Sequence, residues 1–443
     1  MKEARSPNLP GRTECAAYAL PALPLAALAL PLYVIVPTFY SDVVGLPLAA
    51  VGVVLLAIRV FDAFADPLFG WLADRFSSRL GRRRGFFLLS LPLTAASAFM
   101  LFWPPGDAGL GYLGFWGALV SVGYTWTVLP YTAWGAELSD DYKRRSVIAA
   151  WRESATLVGT LLAIGLPFAI GLQTHDGVNG LAVVAVLVAV CLPLAGMVAA
   201  LAVPEPIDRS TRNLRFSESL GFIGRNDAFL RLIVAFLLNG LANAIPATLF
   251  LYFVSDRLGS PELRGPFLFL YFLSAIAGVP LATLSARRLG KHRAWCLAMV
   301  LACLVFSLAG FLDHGDLYAF GAICIVTGIL LGFDLVLPPA IQADVIDNDT
   351  AASGAQRSGF YFGAWSLATK LSLAGAVGMV FPLLSMVGFE PGDAANGTSA
   401  LGALAILYAW LPILPKAVAI GLMWNFPIGE VEQQELRRRI ADG

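Results

Sequence analysis

The sequence contains few charged residues. Only 14% of its 443 residues are Asp, Glu, Lys or Arg, and the formal net charge is zero. A soluble domain carries about 25% charged residues, so this composition argues against a soluble enzyme or binding module. The lack of a basic surplus also argues against a nucleic-acid partner.

Histidine and cysteine are scarce as well. The three histidines lie at the ends of apolar runs or between them, and no nucleophile–base or metal-ligand spacing occurs. No phosphate-binding G-x-x-x-x-G-K-[ST] motif is present, so ATP-driven transport would need another subunit. The five scattered cysteines are typical of buried thiols rather than of a disulfide framework. We therefore expect neither an enzyme nor a cofactor.

Hydrophobic residues, in contrast, are abundant. They make up 58% of the chain, and the mean hydropathy is +0.73. About 20 consecutive apolar residues are enough to cross a bilayer as a helix. The apolar runs therefore predict an all-α membrane protein with twelve transmembrane helices, which lie near 14–40, 47–74, 85–104, 111–138, 147–173, 178–203, 227–255, 264–286, 294–312, 317–344, 357–387 and 398–425.

The basic residues predict the orientation of these spans. Lys and Arg are concentrated in the connections after spans two, four, six and eight and after the last span. By the positive-inside rule, both termini are then cytoplasmic, and an even number of spans agrees with this. The polar N-terminal segment has no cleavage site after a short apolar core, so we expect a retained cytoplasmic tail. The expected location is the cell membrane, specifically the bacterial inner membrane.

The two halves of the chain look like weak copies of each other. Val128-Leu129-Pro130 recurs as Val336-Leu337-Pro338, and Pro67 and Arg75 have counterparts in Pro280 and Arg288. This predicts an N-terminal six-helix half (1–203), a cytoplasmic linker (204–226) and a C-terminal six-helix half with a short cytoplasmic tail (227–443). A parallel six-plus-six repeat is the plan of major facilitator transporters. The segments 70–75 and 81–83 also resemble the loop signature of that superfamily, so we expect a major facilitator fold that functions as a monomer.

The second predicted span contains two carboxylates. Asp62 and Asp66 are four residues apart and therefore lie on one face of a helix. Two carboxylates this close in a low-dielectric site cannot both stay ionised without a cation between them. They can hold a hard cation such as Na⁺ or share a proton. The alternative, an ion pair between one aspartate and Arg59, leaves the other aspartate unexplained.

A single ammonium group lies in the predicted span eleven. Lys370 is about a dozen residues from the cytoplasmic end of that span, or roughly 18 Å along a helix. This distance is too long for the side chain to reach the interface. Lys370 therefore needs a carboxylate partner on another helix, and the pair in span two is the best available.

Other charged residues are candidates for a gate. Acidic residues at the cytoplasmic ends of spans can pair with the arginine-rich loops and hold the inner side shut. The alternatives are solvated loop charges and, for Arg152, an interfacial pair with Glu153. The gating candidates are Asp74, Arg75, Arg152 and Asp344.

The predicted span ten contains Asp334, followed by Pro338 and Pro339. We expect Asp334 to face the interior and to contact either substrate or a polar neighbour. The double proline predicts a broken helix whose freed carbonyl groups line a cavity.

Taken together, these residues resemble the glycoside–pentoside–hexuronide:cation symporters, the family of melibiose permease. The resemblance extends over nearly the whole chain. It is carried by Tyr40-Ser41-Asp42 with Gly45, by Arg59, Asp62 and Asp66-Pro67 with Gly70-Trp71, by Pro130, by Ala343-Asp344 with Asp347, and by Lys370.

The resemblance implies a coupling-cation site and the absence of a known sugar site. Two span-two aspartates, a span-four threonine and a span-eleven lysine form the cation site in that family, and these positions hold Asp62, Asp66, Thr125 and Lys370. The family's galactoside-binding Lys–Asp pair, its span-four aspartate and its two stacking tryptophans are all replaced, and these positions hold Leu25, Ala26, Val128, Thr132 and Leu335. A sugar needs paired hydrogen-bonding groups and an aromatic platform, so the resemblance does not extend to a galactoside substrate. The remaining candidates to line a substrate cavity are Tyr124, Trp126, Asp334 and Trp365.

The resemblance implies a secondary active transporter that works by alternating access. Its partners would be a small organic solute, a coupling cation (Na⁺ or H⁺) and membrane lipid. The family points to a sugar or glycoside. Some relatives are sodium-coupled lysolipid transporters, so a lysolipid or another amphipathic solute is the alternative. A transporter-like receptor is a further alternative.

Overall fold

A computed structural model gives the architecture of most of the chain. It describes residues 11–40, 44–76, 78–139, 141–169, 178–207, 226–389 and 396–429, with the single residues 221, 224 and 432. The regular structure of these residues is helical throughout. The α-helices are α1 Arg12–Ala19, α2 Ala22–Thr38, α3 Leu48–Arg75, α4 Arg82–Phe102, α5 Leu110–Glu137, α6 Tyr142–Ala169, α7 Val178–Ala202, α8 Asp227–Tyr252, α9 Arg264–Leu289, α10 Lys291–Ser307, α11 Leu317–Ser353, α12 Ser358–Met386, α13 Thr398–Ala409 and α14 Ile413–Trp424.

The first and last predicted spans are each interrupted. The first is divided into α1 and α2 around Leu20 and Pro21, and the last is divided into α13 and α14 at a turn that contains Pro412. A proline has no backbone N–H to donate and its ring crowds the preceding turn, which explains why both breaks occur beside one. Hydropathy alone does not reveal such a break, because the residues on both sides of it are equally apolar.

Helix α11, which corresponds to the tenth predicted span, differs from the prediction in two respects. Helix α11 continues through Pro338 and Pro339, so the prediction of a broken helix was wrong. The helix also runs to Ser353, nine residues beyond the predicted end at residue 344. Asp344 and Asp347 therefore lie inside the helix, where they are only 1% and 5% exposed, and they are not solvated loop charges. Burial against neighbouring helices keeps the segment helical although its sequence is polar.

Eight helical segments within the described residues are long and apolar enough to cross a membrane. They are Arg82–Phe102, Leu181–Ala202, Asp227–Arg257, Pro261–Leu289, Lys291–Phe311, Leu317–Thr350, Ser358–Met386 and Thr398–Trp424. The described residues are thus those of an all-α membrane protein. The total of twelve spans and the side on which the termini lie remain predictions.

The chain divides into two compact units, each with its own core. The first unit contains Met1–Phe216 and Gly354–Ala364, and the second contains Ser217–Ser353 and Trp365–Gly443. Tyr18, Phe87 and Trp134 are fully buried in the first core, and Phe253, Phe320 and Leu404 are fully buried in the second. The predicted linker 204–226 and the predicted C-terminal tail lie largely outside the described residues.

Candidate functional site

Three oxygen-bearing side chains meet inside the first unit. The hydroxyl of Thr125 in α5 lies 2.9 Å from Oδ1 of Asp66 and 3.2 Å from Oδ1 of Asp62, both in α3. All three residues are buried, with 4%, 0% and 2% exposure respectively. The structure therefore brings together three of the four residues predicted for the cation site.

Helix α5 holds Thr125 in place through its opposite face. Thr127 shares hydrogen bonds of 2.9 Å with Ser90 and 2.8 Å with Thr94, both in α4. A Cβ atom at Gly123 would lie 2.8 Å from the Thr94 hydroxyl, so only glycine allows α4 and α5 to pack this closely. Residues two apart on a helix point in nearly opposite directions. Thr127 therefore fixes α5 against α4 while Thr125 is directed towards α3.

The spacing of these oxygens suits a hard cation. Oxygen ligands of Ca²⁺ lie at about 2.3–2.6 Å, so two ligands at right angles are about 3.3–3.7 Å apart. Na⁺ is similar in size to Ca²⁺. The separations of 2.9 and 3.2 Å would have to widen by less than about 1 Å to admit the ion. A shared proton, in contrast, needs no widening.

Lys370, the fourth residue predicted for the cation site, lies on a different helix from these three. Lys370 is half-buried in α12 and belongs to the second unit, so its approach to the aspartates stays a prediction. Residues 41–43 and the side chain of Arg59 lie outside the part of the chain that the structure describes. Within the described residues, no group of three or more His, Cys, Asp or Glu side chains forms a metal site.

Three of the predicted cavity residues are packed against other aromatic or apolar side chains. Trp126 lies between Phe69 and Phe86, with ring centroids 5.7 and 5.3 Å away. Tyr124 packs against the core of the first unit. Trp365 stacks on Phe236, with centroids 3.5 Å apart. Their roles towards a substrate stay predictions.

Asp334, the fourth predicted cavity residue, lies in a polar cluster of the second unit. Its Oδ1 accepts a 2.6 Å hydrogen bond from the Trp295 indole, and its Oδ2 accepts a 2.9 Å bond from the Asn243 amide. The Lys416 ammonium donates to Asn243 Oδ1 at 2.8 Å and lies 3.6 Å from Asp334. Asp334 thus contacts polar neighbours, which was one of the two alternatives expected for it, the other being a contact with substrate. Lys416 is not among the residues predicted from the sequence, although a charge inside the last apolar run could have revealed it.

Asp74 links the end of α3 to the beginning of α12. Its carboxylate accepts the backbone N–H groups of Gly359 and Phe360, each at 2.8 Å. These donors lie in the first turn of α12, where N–H groups have no partner inside the helix and a negative charge is favourable. Gly70 lies one turn earlier in α3, directly against Gly359. Asp74 therefore caps the N-terminus of α12 at the point where Gly70 of α3 and Gly359 of α12 bring the two helices into contact.

The basic partner of Asp74 is Arg83. The Arg83 guanidinium donates to Asp74 at 2.7 Å and to Glu137 at 2.5 Å, and its side chain is completely buried. Arg82 also donates to Glu137, at 3.2 Å, and to the backbone oxygen of Gln356 at 3.3 Å. Sequence reasoning missed Arg83 as a specific partner because three consecutive arginines give no indication of which one is buried.

The other predicted gating residues have different surroundings. Arg75 is exposed, with its guanidinium 4.8 Å from the centre of the Trp71 ring. Arg152 forms an ion pair with the adjacent Glu153, the alternative given for it above. Asp344 forms a buried ion pair of 2.6 Å with Lys291, which comes from the basic connection after the predicted span eight. Whether these residues gate transport stays a prediction.

The comparisons with known proteins give the family. The sequence model of the MFS/sugar transport protein family matches residues 17–430, which is nearly the whole chain. The chain belongs to this family. Its members are transporters, so the protein is a membrane transporter of the glycoside–pentoside–hexuronide:cation symporter type, not an enzyme.

Individual relatives are distant in sequence from this chain. It is 25% identical to the Escherichia coli inner membrane symporter YicJ over 394 residues, covering 85% of this chain and 83% of the relative. It is 24% identical to the Mus musculus sphingosine-1-phosphate transporter MFSD2B over 438 residues, covering 91% and 88%.

A solved structure gives the fold. The fold is similar to that of the E. coli fucose:proton symporter FucP, with a TM-score of 0.67, 13% identity and coverage of 95% and 99%. At this identity the likeness concerns the fold alone, and it assigns a major facilitator fold to the chain.

Proposed function

We propose that this transporter is a cation-coupled symporter of a small organic solute and that Asp62, Asp66 and Thr125 bind the coupling cation. The observation that carries the proposal is the convergence of two buried carboxylates and one hydroxyl between α3 and α5. Ionisable residues within a membrane are costly and generally functional. With no ion bound, Lys370 would neutralise one carboxylate and a proton the other. A bound Na⁺, held by oxygens of both aspartates, would replace that proton.

The proposal extends to the surrounding architecture. We propose twelve spans in two six-helix halves with cytoplasmic termini, working as a monomer in lipid, in the inner membrane of a bacterium as the name of YicJ suggests. In alternating access, one half rocks against the other around the bound solute. The hydrogen bonds that join Asp74 to the first turn of α12 and Arg82 to the Gln356 carbonyl would form and break during this motion.

The substrate class follows from the family. A sugar or glycoside is the first candidate, since the family is one of sugar transporters. A simple galactoside is not expected. Leu25 and Ala26 stand where the family binds that sugar, and both are buried with 4% and 7% exposure. Apolar, buried side chains offer no hydrogen bonds to sugar hydroxyls.

An amphipathic solute is the second candidate. Sphingosine-1-phosphate is the cargo in the name of the mouse relative, which aligns with 91% of this chain. The apolar residues Leu25, Ala26 and Val128 would favour a solute with a hydrocarbon part over a bare sugar.

The proposal is tested by uptake into proteoliposomes. A panel of glycosides, free sugars and lysolipids is offered with an imposed Na⁺ gradient, an imposed pH gradient, or neither. We expect accumulation against the solute gradient only with one of the two ion gradients. The Asp66→Asn variant should lose this accumulation and keep solute exchange, because the solute pocket lies beside the ion. Asp107→Asn, at an exposed carboxylate, is the matched control and should behave as the parent does.

Three outcomes contradict separate parts of the proposal. Unchanged accumulation by Asp66→Asn would show that this carboxylate pair is not the coupling site. Uptake that ignores both gradients would exclude symport. Binding of a panel compound without any exchange across the membrane would favour a transporter-like receptor.

A further inference from the structure

We propose that the second unit holds a binding site, distinct from the site proposed for the coupling cation, for a small neutral ring compound that carries a hydroxyl group. The site is a cavity of about 170 Å³ bounded by helices α8, α9, α10, α11 and α14 and by Tyr408 of α13. All of its lining residues belong to the second unit. None of them belongs to the site proposed for the coupling cation.

The size and lining of the cavity limit what it can hold. An apolar protein cavity of about 150 Å³ binds benzene, so this cavity holds one six-membered ring with a small substituent. Much of its wall is aromatic, formed by Phe250, Tyr271, Phe272, Phe306, Phe320 and Tyr408. A sugar of the same size would leave most of its hydroxyl groups without partners in such a wall, which is costly. The wall therefore selects an aromatic or alicyclic body.

The charged part of the wall comes from Asp334 and Lys416, which Asn243 links, while Thr327, Tyr271 and Tyr408 contribute hydroxyl groups. Asp334 and Lys416 carry opposite charges, and their 3.6 Å separation leaves this part of the site neutral overall. A ligand with a net charge would upset that balance in a low-dielectric environment, so a neutral ligand is preferred.

Lys416 has hydrogen-bonding capacity for such a ligand. An ammonium group has three donors. One is used in the 2.8 Å bond to Asn243, while the 3.6 Å separation from Asp334 is longer than a hydrogen bond. The side chain is only 8% exposed, so a donor that remains faces the cavity rather than bulk water. A hydroxyl oxygen on the ligand would accept it.

This polar cluster is not a general feature of the repeated fold. Aligning Val128-Leu129-Pro130 with Val336-Leu337-Pro338 places Asp334 opposite Trp126, which packs between two phenylalanines. Within the described residues of the first unit, a small cavity lined by α2, α3, α4 and α5 measures only about 10 Å³ and has Ser121 as its one polar side chain. A buried ion pair rarely stabilises a protein more than apolar residues of the same volume would. Its presence beside a cavity in one unit therefore points to a ligand.

The test compares phenol with toluene, which have the same ring and differ in the hydroxyl group. Binding is measured by saturation-transfer NMR on the purified full-length protein in detergent. One net hydrogen bond is equivalent to about a tenfold difference in affinity, so the parent should bind phenol about tenfold more tightly than toluene. The variant Ala302→Leu fills the cavity and should lose both ligands. The control Ala374→Leu adds the same atoms at an exposed position and should keep both.

The polar contact is tested by removing both charges together. The double variant Asp334→Asn with Lys416→Met leaves no unpaired charge, so it should fold and bind both ligands with affinities within about twofold of each other. Equal affinities in the parent, or binding that survives Ala302→Leu, would overturn the proposal. Since no transport is measured, the result is independent of the proposed coupling mechanism.

Discussion

Thr125 and Asp66 are separated by 59 residues in the sequence, yet their side-chain oxygens lie 2.9 Å apart. The same hydroxyl lies 3.2 Å from Asp62, so one α5 side chain bridges two α3 carboxylates. A hydroxyl has only one proton, and it can donate to only one of the two carboxylates at a time. Turning the hydroxyl so that its lone pairs face a cation therefore breaks one hydrogen bond to an aspartate rather than two.

The Thr125 hydroxyl can be tested by two substitutions of similar size. Thr125→Val removes the hydroxyl and keeps the branched shape, whereas Thr125→Ser keeps the hydroxyl. If the hydroxyl binds the coupling ion, Thr125→Val should raise the ion concentration needed for half-maximal uptake by about tenfold, the equivalent of about 1.4 kcal/mol. Thr125→Ser should shift it far less. Equal shifts in the two variants would show that the hydroxyl does not contribute to ion binding.

Replacement by alanine should change the melting temperature in opposite directions at two glycines of α3, Gly70 and Gly52, because only Gly70 lies against another helix. A Cβ atom at Gly70 would lie 2.8 Å from the carbonyl carbon of Gly359 and 3.1 Å from the Cα atom of Phe360. Gly70→Ala should therefore displace the first turn of α12, lower the melting temperature in detergent and reduce initial uptake several-fold.

Gly52 is the matched control for this substitution, because nothing lies within 4 Å of a Cβ atom there. Replacing glycine by alanine inside a helix ordinarily stabilises it by about 0.5–1 kcal/mol. Gly52→Ala should therefore raise the melting temperature slightly and leave uptake intact. A melting temperature that rises equally in both variants would contradict the close helix contact.

Gly81 precedes α4 with φ of +106°, a conformation that side-chain-bearing residues rarely adopt. A Cβ atom there would also collide with Glu205, whose carboxylate accepts the backbone N–H groups of Arg83 and Arg84. We expect Gly81→Ala to cost about 1–3 kcal/mol and to lower the melting temperature. Gly109 occupies the same position before α5 with φ of −105° and open space around it, so Gly109→Ala should have little effect.

The substrate prediction is tested with a single sugar. Proteoliposomes that contain the protein should show no saturable uptake of melibiose under either ion gradient, because Leu25, Ala26 and Val128 provide no hydrogen bonds to a galactoside. Empty liposomes supply the background rate. Saturable melibiose uptake that depends on the protein would mean that other residues have taken over sugar binding.

The sequence predicted the features that depend on local pattern. Low charge and long apolar runs indicated a membrane protein, and the four-residue spacing of Asp62 and Asp66 placed both carboxylates on one helical face. Alignment to a known family added Thr125 through a count back from Pro130. The sequence did not predict that α11 continues through Pro338 and Pro339. Proline weakens any helix on its own, and only packing against neighbouring helices can offset this.

The sequence alone therefore determined the class of protein, most of its helices and the face on which the two aspartates lie, since hydropathy and helical period act over a few residues. Only the tertiary structure decided which of three arginines is buried against Asp74 and Glu137, and that Asn243, Asp334 and Lys416 share one cluster. These partners lie on helices that are distant in the sequence. Their contacts depend on which helices become neighbours, and that choice is made by the packing of the whole unit rather than by any segment of it.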